Sequence, residues 1–373
     1  MVSTEDGHVR PVRFSVDELT GALGDSVTVL PIVVAVTALT TLSLPRVLLG
    51  FAVFQVIWGL YYRVPLSVEP MKALAALVIA GALTVGELAA AGILAGVVLL
   101  VIGRAGGLAH VQRVVSRPVV RGVQLAVALV LLETAVDLSL GAPALAVLGL
   151  GVALGATLLV SGNASTLAVL VLGFVLALGR ADPAALAVTV PSLAPTLPAA
   201  STLTRATVEG VVGQLAMTVG NAAVATSLLL SEYFDADVSP DDLATSMGVM
   251  NLAAVPLGAL PMCHGSGGVA GKYAFGARTA GANLILAGGY ALAAVFAVGV
   301  FAAFPMAMLG VLLALVAVEL GRGALATDRL WLTVGVGLCG LLTNVGVAFV
   351  VGVALSLVVD RMRPALGREP VES

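Results

Sequence analysis

The sequence predicts an all-α polytopic membrane protein of about fourteen transmembrane segments. They form a seven-plus-seven inverted repeat with two half-helices, each preceded by a short extended stretch. Three observations predict this fold class. Hydrophobic residues make up 60% of the 373 and charged residues only 10%, with a mean hydropathy of +1.11; a soluble domain carries roughly 25% charged residues. Apolar runs recur along the chain between charged, Pro or Gly breaks. The two halves carry matching Pro-containing interruptions. Backbone groups in lipid must be satisfied within each segment, so helices are expected. The short alternating strands of a membrane barrel are not visible.

Taken in order, the apolar runs place spans near 19–41, 46–62, 68–84, 86–103, 118–137, 142–160 and 164–180. After a Pro-rich connection (181–206) come spans near 207–230, 241–258, 265–278, 280–300, 303–320, 328–342 and 344–360. Several are shorter than the roughly 20 residues of a full crossing. The last two share only 33 residues and are expected to be half-spans or strongly tilted. The first repeat is therefore 19–180 and the second 207–360, flanked by a polar segment (1–18) and a short tail (361–373). The polar segment lacks the apolar h-region of a signal peptide.

Charge supports this count. With the N-terminus inside, even-numbered connections are cytoplasmic. Arg104, Arg113, Arg117 and Arg121 fall in the fourth connection, Lys272 and Arg278 near the tenth, and Arg322 and Arg329 in the twelfth. Arg361, Arg363 and Arg368 lie in the tail, which puts both termini in the cytoplasm. The odd connections hold almost no Lys or Arg beyond Arg46 and Arg180. This is the positive-inside pattern. Glu232, Asp235, Asp237, Asp241 and Asp242 crowd one inside connection, but acidic residues weigh little in that rule.

The same inventory narrows the function. A net charge of −3 carried in loops, without a basic patch, gives no reason to expect nucleic acid. Cys263 and Cys339 are too few for a disulfide or metal framework. No G-x-x-x-x-G-K-[ST] loop is present, so ATP drive is not expected. No cofactor or metal is expected either, and the lipid bilayer is the first partner.

The repeat is read from punctuation. The first half opens GALGDSVTVLP (21–31) and the second GVVGQLAMTVGNA (210–222). Each then reaches a break: YYRVPLSVEPMKALAA (61–76) and GALPMCHGSGGVAGKYAFGA (258–277), with Pro65 and Pro261 at matching places. Seven segments per half is an odd number, so the second half enters the membrane inverted. Paired Gly/Pro-interrupted segments in corresponding positions point to a transporter's binding site.

In VPLSVEPMK, Pro65 and Pro70 remove backbone donors and favour extended backbone before them. An extended stretch (64–68), including Ser67 and Val68, followed by a helix from about Glu69 is expected, with Pro70 well suited to its first turn. In the second break Pro261 ends a segment, 262–264 is extended, and a helix begins near Gly265 or Ser266. A helix start exposes free N–H groups and the positive end of the dipole. Two facing starts make an anion site within the membrane. Ser266 caps or donates its hydroxyl, and Gly265, Gly267 and Gly268 permit close approach of a ligand to the backbone. The plainer reading of these glycines is helix packing.

Polar residues inside spans are costly and mark function. Asp25 and Ser26 lie in the first span; Gln214, Thr218 and Asn221 lie in the eighth, on one helix face. These two spans are repeat equivalents, so both are expected at one cavity, with interhelical hydrogen bonding as the alternative. Glu69, paired with Lys72, and His264 are candidates for proton coupling; a structural histidine is an equal reading. Glu133, Asp137 and Glu319 are read as interface or gating residues.

These segments together resemble the MOT-type molybdate transporters. PLSVEPMKALAA is similar to that family's P-M-P-V-Q-P-M-K signature. GALGDSVTVLPIVVAVTAL resembles its first span, GQLAMTVGNAAVAT its Q-L-P-L-T-x-x-N-A segment, and PMCHGSGGVAGKYAFGAR its second signature. The likeness runs from about 18 to 285. It implies kinship with sulfate and uracil permeases, a core of spans 1–4 and 8–11, a gate of spans 5–7 and 12–14, and substrate between the starts of the third and tenth helices. Glu69 stands where that family usually has Gln, Leu66 and Ser67 replace Met and Pro, and Ala216 replaces a Pro. The tail leaves no room for the regulatory STAS domain of sulfate permeases, which favours the molybdate branch.

The function expected is secondary-active transport of a tetrahedral oxyanion, molybdate first, coupled to H+ or Na+ in the plasma membrane, with a homodimer as the assembly. Sulfate, or a nucleobase in the same fold, is the alternative. An intramembrane serine hydrolase using Ser266 with His264 is the distant one, since nothing orients a base.

Overall fold

The computed structural model describes residues 11–160, 162–181, 188, 190–192 and 194–366. Residues 1–10, 161, 182–187, 189, 193 and 367–373 lie outside the described residues, and with them most of the polar N-terminal segment, part of the Pro-rich connection and the end of the tail. The first half runs α1 (Val16–Leu39), α2 (Leu44–Tyr62), β1 (Val68–Pro70), α3 (Lys72–Ile79), α4 (Val85–Arg104), a short α5 (Leu108–Val114), α6 (Arg117–Leu140), α7 (Pro143–Leu159) and α8 (Gly162–Arg180). The second runs α9 (Arg205–Met217), a π-helical segment (Thr218–Ala225), α10 (Thr226–Phe234), α11 (Pro240–Ala254), β2 (Met262–His264) and α12 (Ser266–Ala274). It ends with α13 (Gly281–Phe296), α14 (Val298–Ala302), α15 (Met306–Leu325), α16 (Leu330–Leu342) and α17 (Val345–Leu366). Every expected span coincides with a helix, counting α9–α10 as one rod. Among the described residues, six helical stretches, with α9 through α10 counted as one, are long and apolar enough to cross a membrane by length and composition.

Local chemistry sets the ends. Ser15 caps α1 through the Glu18 N–H (3.3 Å), and Thr204 caps the repeat-equivalent α9 through the Thr207 N–H (3.2 Å). Proline occupies the first turn of α2, α6, α7 and α11, where its missing N–H costs nothing. Thr84 and Glu87 close a capping box at α4. In the last pair, α17 has 22 residues because the helix continues past Asp360, where the apolar run stops. α16 is short, with 13 residues.

Packing shows the inverted repeat directly. α4 lies against α11, and their repeat equivalents α13 and α2 lie against each other. α1 packs on α12 as α9 packs on α3, and α6 on α16 as α15 on α7. α1–α4 with α9–α13 thus form one bundle, and α6–α8 with α15–α17 a second, built around the α6–α15 pair; the two bundles meet most closely where α17 packs on α9 and α6 on α3. Small residues allow these approaches. A Cβ on Gly122 would sit 2.4 Å from Val336, and one on Gly248 2.6 Å from the Leu100 nitrogen.

The two breaks meet in the middle of the first bundle. β1 and β2 pair antiparallel, Val68 opposite His264, Glu69 opposite Cys263 and Pro70 opposite Met262. The pairing extends to Met71, whose N–H donates to the Pro261 carbonyl (2.8 Å). This corrects the first helix start. Glu69 and Pro70 are strand residues, and α3 begins at Lys72, because two buried extended segments satisfy each other's backbone. The second start falls where expected, with Gly265 as the N-cap of α12.

Asn251 of α11 clamps β2 from behind. Its side chain accepts from the Met262 N–H (2.8 Å) and donates to the Met262 carbonyl (2.7 Å). Asn251→Leu leaves both Met262 groups unpaired in the interior. It is expected to cost about 2–4 kcal/mol, read as a fall in thermal midpoint of the purified protein; an unchanged midpoint would refute the clamp.

Candidate anion site between the two half-helices

A cavity of about 310 Å³ opens where the first bundle faces the second. Its first wall is the start of α12. The Gly268 N–H donates to Glu69 Oε1 at 2.6 Å, and Lys72 Nζ meets Glu69 Oε2 at 2.5 Å. The carboxylate thus lies across the positive end of α12, where the dipole favours it. A Cβ on Gly265 would be 1.9 Å from the Glu69 carboxyl carbon, so only glycine admits this approach. The amides of Ser266 and Gly267 have no protein acceptor among the described residues, and both residues line the cavity.

The start of α3 is closed differently. Gln214 Oε1 accepts from the N–H groups of Ala73 (3.0 Å) and Leu74 (3.3 Å), and Gln214 Nε2 donates to Thr218 Oγ1 (2.9 Å). Gln214 still lines the cavity, but its oxygen caps a helix. The π-helical segment begins just beyond it, and such segments often mark functional sites. It presents Thr218 and Asn221 to the same space.

The opposite wall comes from the second bundle. Arg121 and Gln124 project from α6 and Glu319 from α15. Gln124 is held by its own Nε2, which donates to the Leu320 carbonyl (2.9 Å). Its oxygen accepts from Arg121 (2.9 Å) and Asn221 (3.2 Å). Two cations, Lys72 and Arg121, and two carboxylates, Glu69 and Glu319, therefore share one cavity with free helix-terminal amides.

Of the residues expected at the site, the structure brings Glu69, Lys72, Gln214, Asn221, His264, Gly265, Ser266 and Gly267 to the cavity wall. Asp25, Ser26, Ser67, Val68 and Pro70 lie buried behind it, and Gly268 contributes its backbone from just inside. Asp25 accepts from Ser67 Oγ (2.5 Å) and pairs with Lys272 (3.1 Å), while Ser26 returns its hydroxyl to the Ala22 carbonyl. His264 is fully buried, with Nδ1 3.1 Å from the Ser67 carbonyl and Nε2 2.7 Å from Ser246 Oγ. Its ring edges also face Trp58 and Tyr62. A neutral ring that donates through Nδ1 and accepts at Nε2 satisfies both contacts, which is a structural role. It also leaves no nitrogen free to activate Ser266 as a hydrolase would need.

Arg121, Gln124 and Glu319 are the site residues that the sequence reading did not place there. Their only signal was position. Arg121 and Gln124 are three apart at the start of a span, and Glu319 sits in the interior of α15 rather than at its end.

Comparison with known proteins agrees with this architecture. The sequence model of the family described as molybdate transporter of the MFS superfamily matches residues 17–131 and 206–320, one stretch in each repeat. Molybdate transporter 2 of Arabidopsis thaliana is 30% identical over 372 residues, covering 82% of this chain and 78% of its own. Molybdate transporter 1 of the same plant is 30% identical over 378 residues, covering 84% and 80%. Among solved structures, the transmembrane domain of a cyanobacterial bicarbonate transporter, BicA, superposes with a TM-score of 0.68 at 18% identity, covering 90% of this chain and 97% of that one. The murine Slc26a9 anion transporter in the inward-facing state gives 0.70 at 15% identity, covering 95% and 69%. The fold is thus that of these two membrane transporters, although the family's description carries the name of the MFS superfamily, whose halves are six-helix units. With its family model matched in both repeats, the chain belongs to the molybdate transporter family of integral membrane transporters.

Proposed function

We infer that the protein is a secondary-active transporter of a tetrahedral oxyanion, with molybdate as substrate and tungstate as its competitor. The observation that carries this reading is the open end of α12. The free amides of Ser266 and Gly267, the Ser266 hydroxyl and the Lys72 ammonium border one cavity of about 310 Å³, near the lower end of the roughly 300–1,000 Å³ of small-ligand sites. Backbone N–H groups at a helix start bind tetrahedral oxyanions without a dedicated buried charge. The family membership supports molybdate over the other oxyanions.

In this reading the first bundle is the core that carries the anion, and the second is the gate. Arg121 and Glu319 are gate residues facing the substrate, and Glu69 is the proton-coupling carboxylate. The chain lies in the plasma membrane with both termini cytoplasmic. A binding titration of the purified protein with molybdate, tungstate, sulfate and uracil across pH tests it. Saturable molybdate binding displaced by tungstate is expected; a response to uracil alone overturns it, and preference for sulfate moves the substrate. Ser266→Ala removes one charge-assisted hydrogen bond and is expected to weaken molybdate binding roughly tenfold. Unchanged affinity would place the anion elsewhere.

A further inference from the structure

Lys272 lies on α12, away from the cavity, with 0% of its surface exposed. A bare ammonium at that depth is costly, so what surrounds it is informative. Its Nζ is 3.1 Å from Asp25 Oδ2, 3.1 Å from Gln55 Oε1, 2.9 Å from the Leu66 carbonyl and 3.2 Å from Asn283 Oδ1. Those four oxygens come from α1, α2, the lead-in to β1 and α13. An ammonium has three protons to donate, so it is surrounded by more oxygens than it can serve with one bond each. That is the arrangement of a cation cage rather than of a directed hydrogen-bond set.

The cage is held by its own walls. Asn283 Nδ2 donates to Gln55 Oε1 (2.6 Å) and to the Leu66 carbonyl (2.6 Å). Gln55 Nε2 donates to Asp25 Oδ2 (3.0 Å), and Ser67 Oγ to Asp25 Oδ1 (2.5 Å). None of these bonds involves Lys272, so the oxygens stay in place when the ammonium leaves. One carboxylate and three neutral oxygens balance a single positive charge. The distances of 2.9–3.2 Å exceed the roughly 2.0–2.6 Å at which Mg2+ and Ca2+ take oxygen. They fit a large monovalent cation.

We propose that the oxygens of Asp25, Gln55, Leu66 and Asn283 form a monovalent-cation site whose permanent occupant is the tethered ammonium of Lys272. Removing the side chain leaves a vacancy that K+, or ammonium, fills from solution. The core bundle therefore takes up no free cation at this place, and α12 keeps its attachment to α1, α2 and α13 whatever the ionic composition.

The test is the thermal midpoint of purified Lys272→Ala in KCl against choline chloride at equal ionic strength. In choline, loss of the buried partner is expected to lower the midpoint by roughly 10 °C. In KCl it recovers along a saturable curve, as mass action requires, while the wild type is the same in both salts. The double variant Lys272→Ala/Asp25→Asn, whose cage has lost its charge, responds to neither salt. A single variant equally destabilised in both salts, or unfolded in both, overturns the proposal. So does a double variant that responds to KCl as the single variant does.

Discussion

Gly268→Ala is expected to lower anion affinity on the order of 100-fold, below the range of a normal titration. A Cβ at this position would lie 2.2 Å from Asp25 Oδ1, 2.2 Å from Ser67 Oγ and 2.5 Å from Glu69 Oε1. None of these oxygens belongs to a free-swinging side chain. Asp25 is tied to Lys272 and Gln55, Ser67 sits in the lead-in to β1, and Glu69 is held by Lys72. The first turn of α12 has to move instead, and it carries the Ser266 and Gly267 amides with it. The shift also breaks the 2.6 Å bond from the Gly268 N–H to Glu69. Gly267→Ala is the matched control. There the nearest atom to a new Cβ is Glu319 Oε1 at 4.0 Å, so the helix stays and affinity falls only several-fold from partial filling of the cavity. Isothermal titration of both variants against molybdate reads the difference. A Gly268→Ala protein that binds like the wild type would show that α12 does not hold the anion.

The contrast between these two glycines marks how far the sequence was legible. Both sit in one Gly-rich run, and the run itself, with Pro65, Pro70 and Pro261, announced two broken segments at matching places. Those signals are local, because proline and glycine act on their own backbone. The helix count was legible for a similar reason, since each apolar run reports its own solvent. Which glycine carries a carboxylate against it depends on residues about 200 positions away, and no local rule contains that. The same holds for the Asp25–Lys272 pair. Lys272 read as a cytoplasmic-loop cation, yet it neutralises a carboxylate of the first span. Gln214 lines the cavity, but whether its oxygen faces a ligand or the bare start of α3 depends on how two bundled helices are offset. Arg121 illustrates a further limit. A basic residue at the first turn of a span satisfies the positive-inside pattern whether it faces lipid headgroups or a cavity, so the pattern hides it.

Glu69→Gln is expected to raise affinity for the dianion at neutral pH by about tenfold or more and to flatten its dependence on pH. In the wild type, Glu69 takes two of the strongest donors at the site, the Gly268 N–H and the Lys72 ammonium. An entering oxyanion has to share the helix start with that carboxylate. Two like charges about 4 Å apart repel by about 4 kcal/mol at an effective dielectric near 20, which exceeds the tenfold change expected here and leaves room for partial relief by Lys72. The other charges around Glu69 are Arg121 and Glu319, across the cavity, and Asp25, already matched by Lys272 behind it. His264 has both nitrogens engaged. As pH falls, Glu69 takes up a proton, its negative charge disappears and Lys72 is released toward the anion. Wild-type affinity is therefore expected to rise with acidity, as the proposed coupling of anion and proton requires. Glutamine is neutral at every pH, and its oxygen still accepts the Gly268 N–H, so the strand pair and α12 keep their places. The variant binds tightly at all pH values and loses acceleration of uptake by an inward proton gradient in proteoliposomes. If Glu69→Gln keeps the wild-type pH slope, Glu69 is not the coupling group.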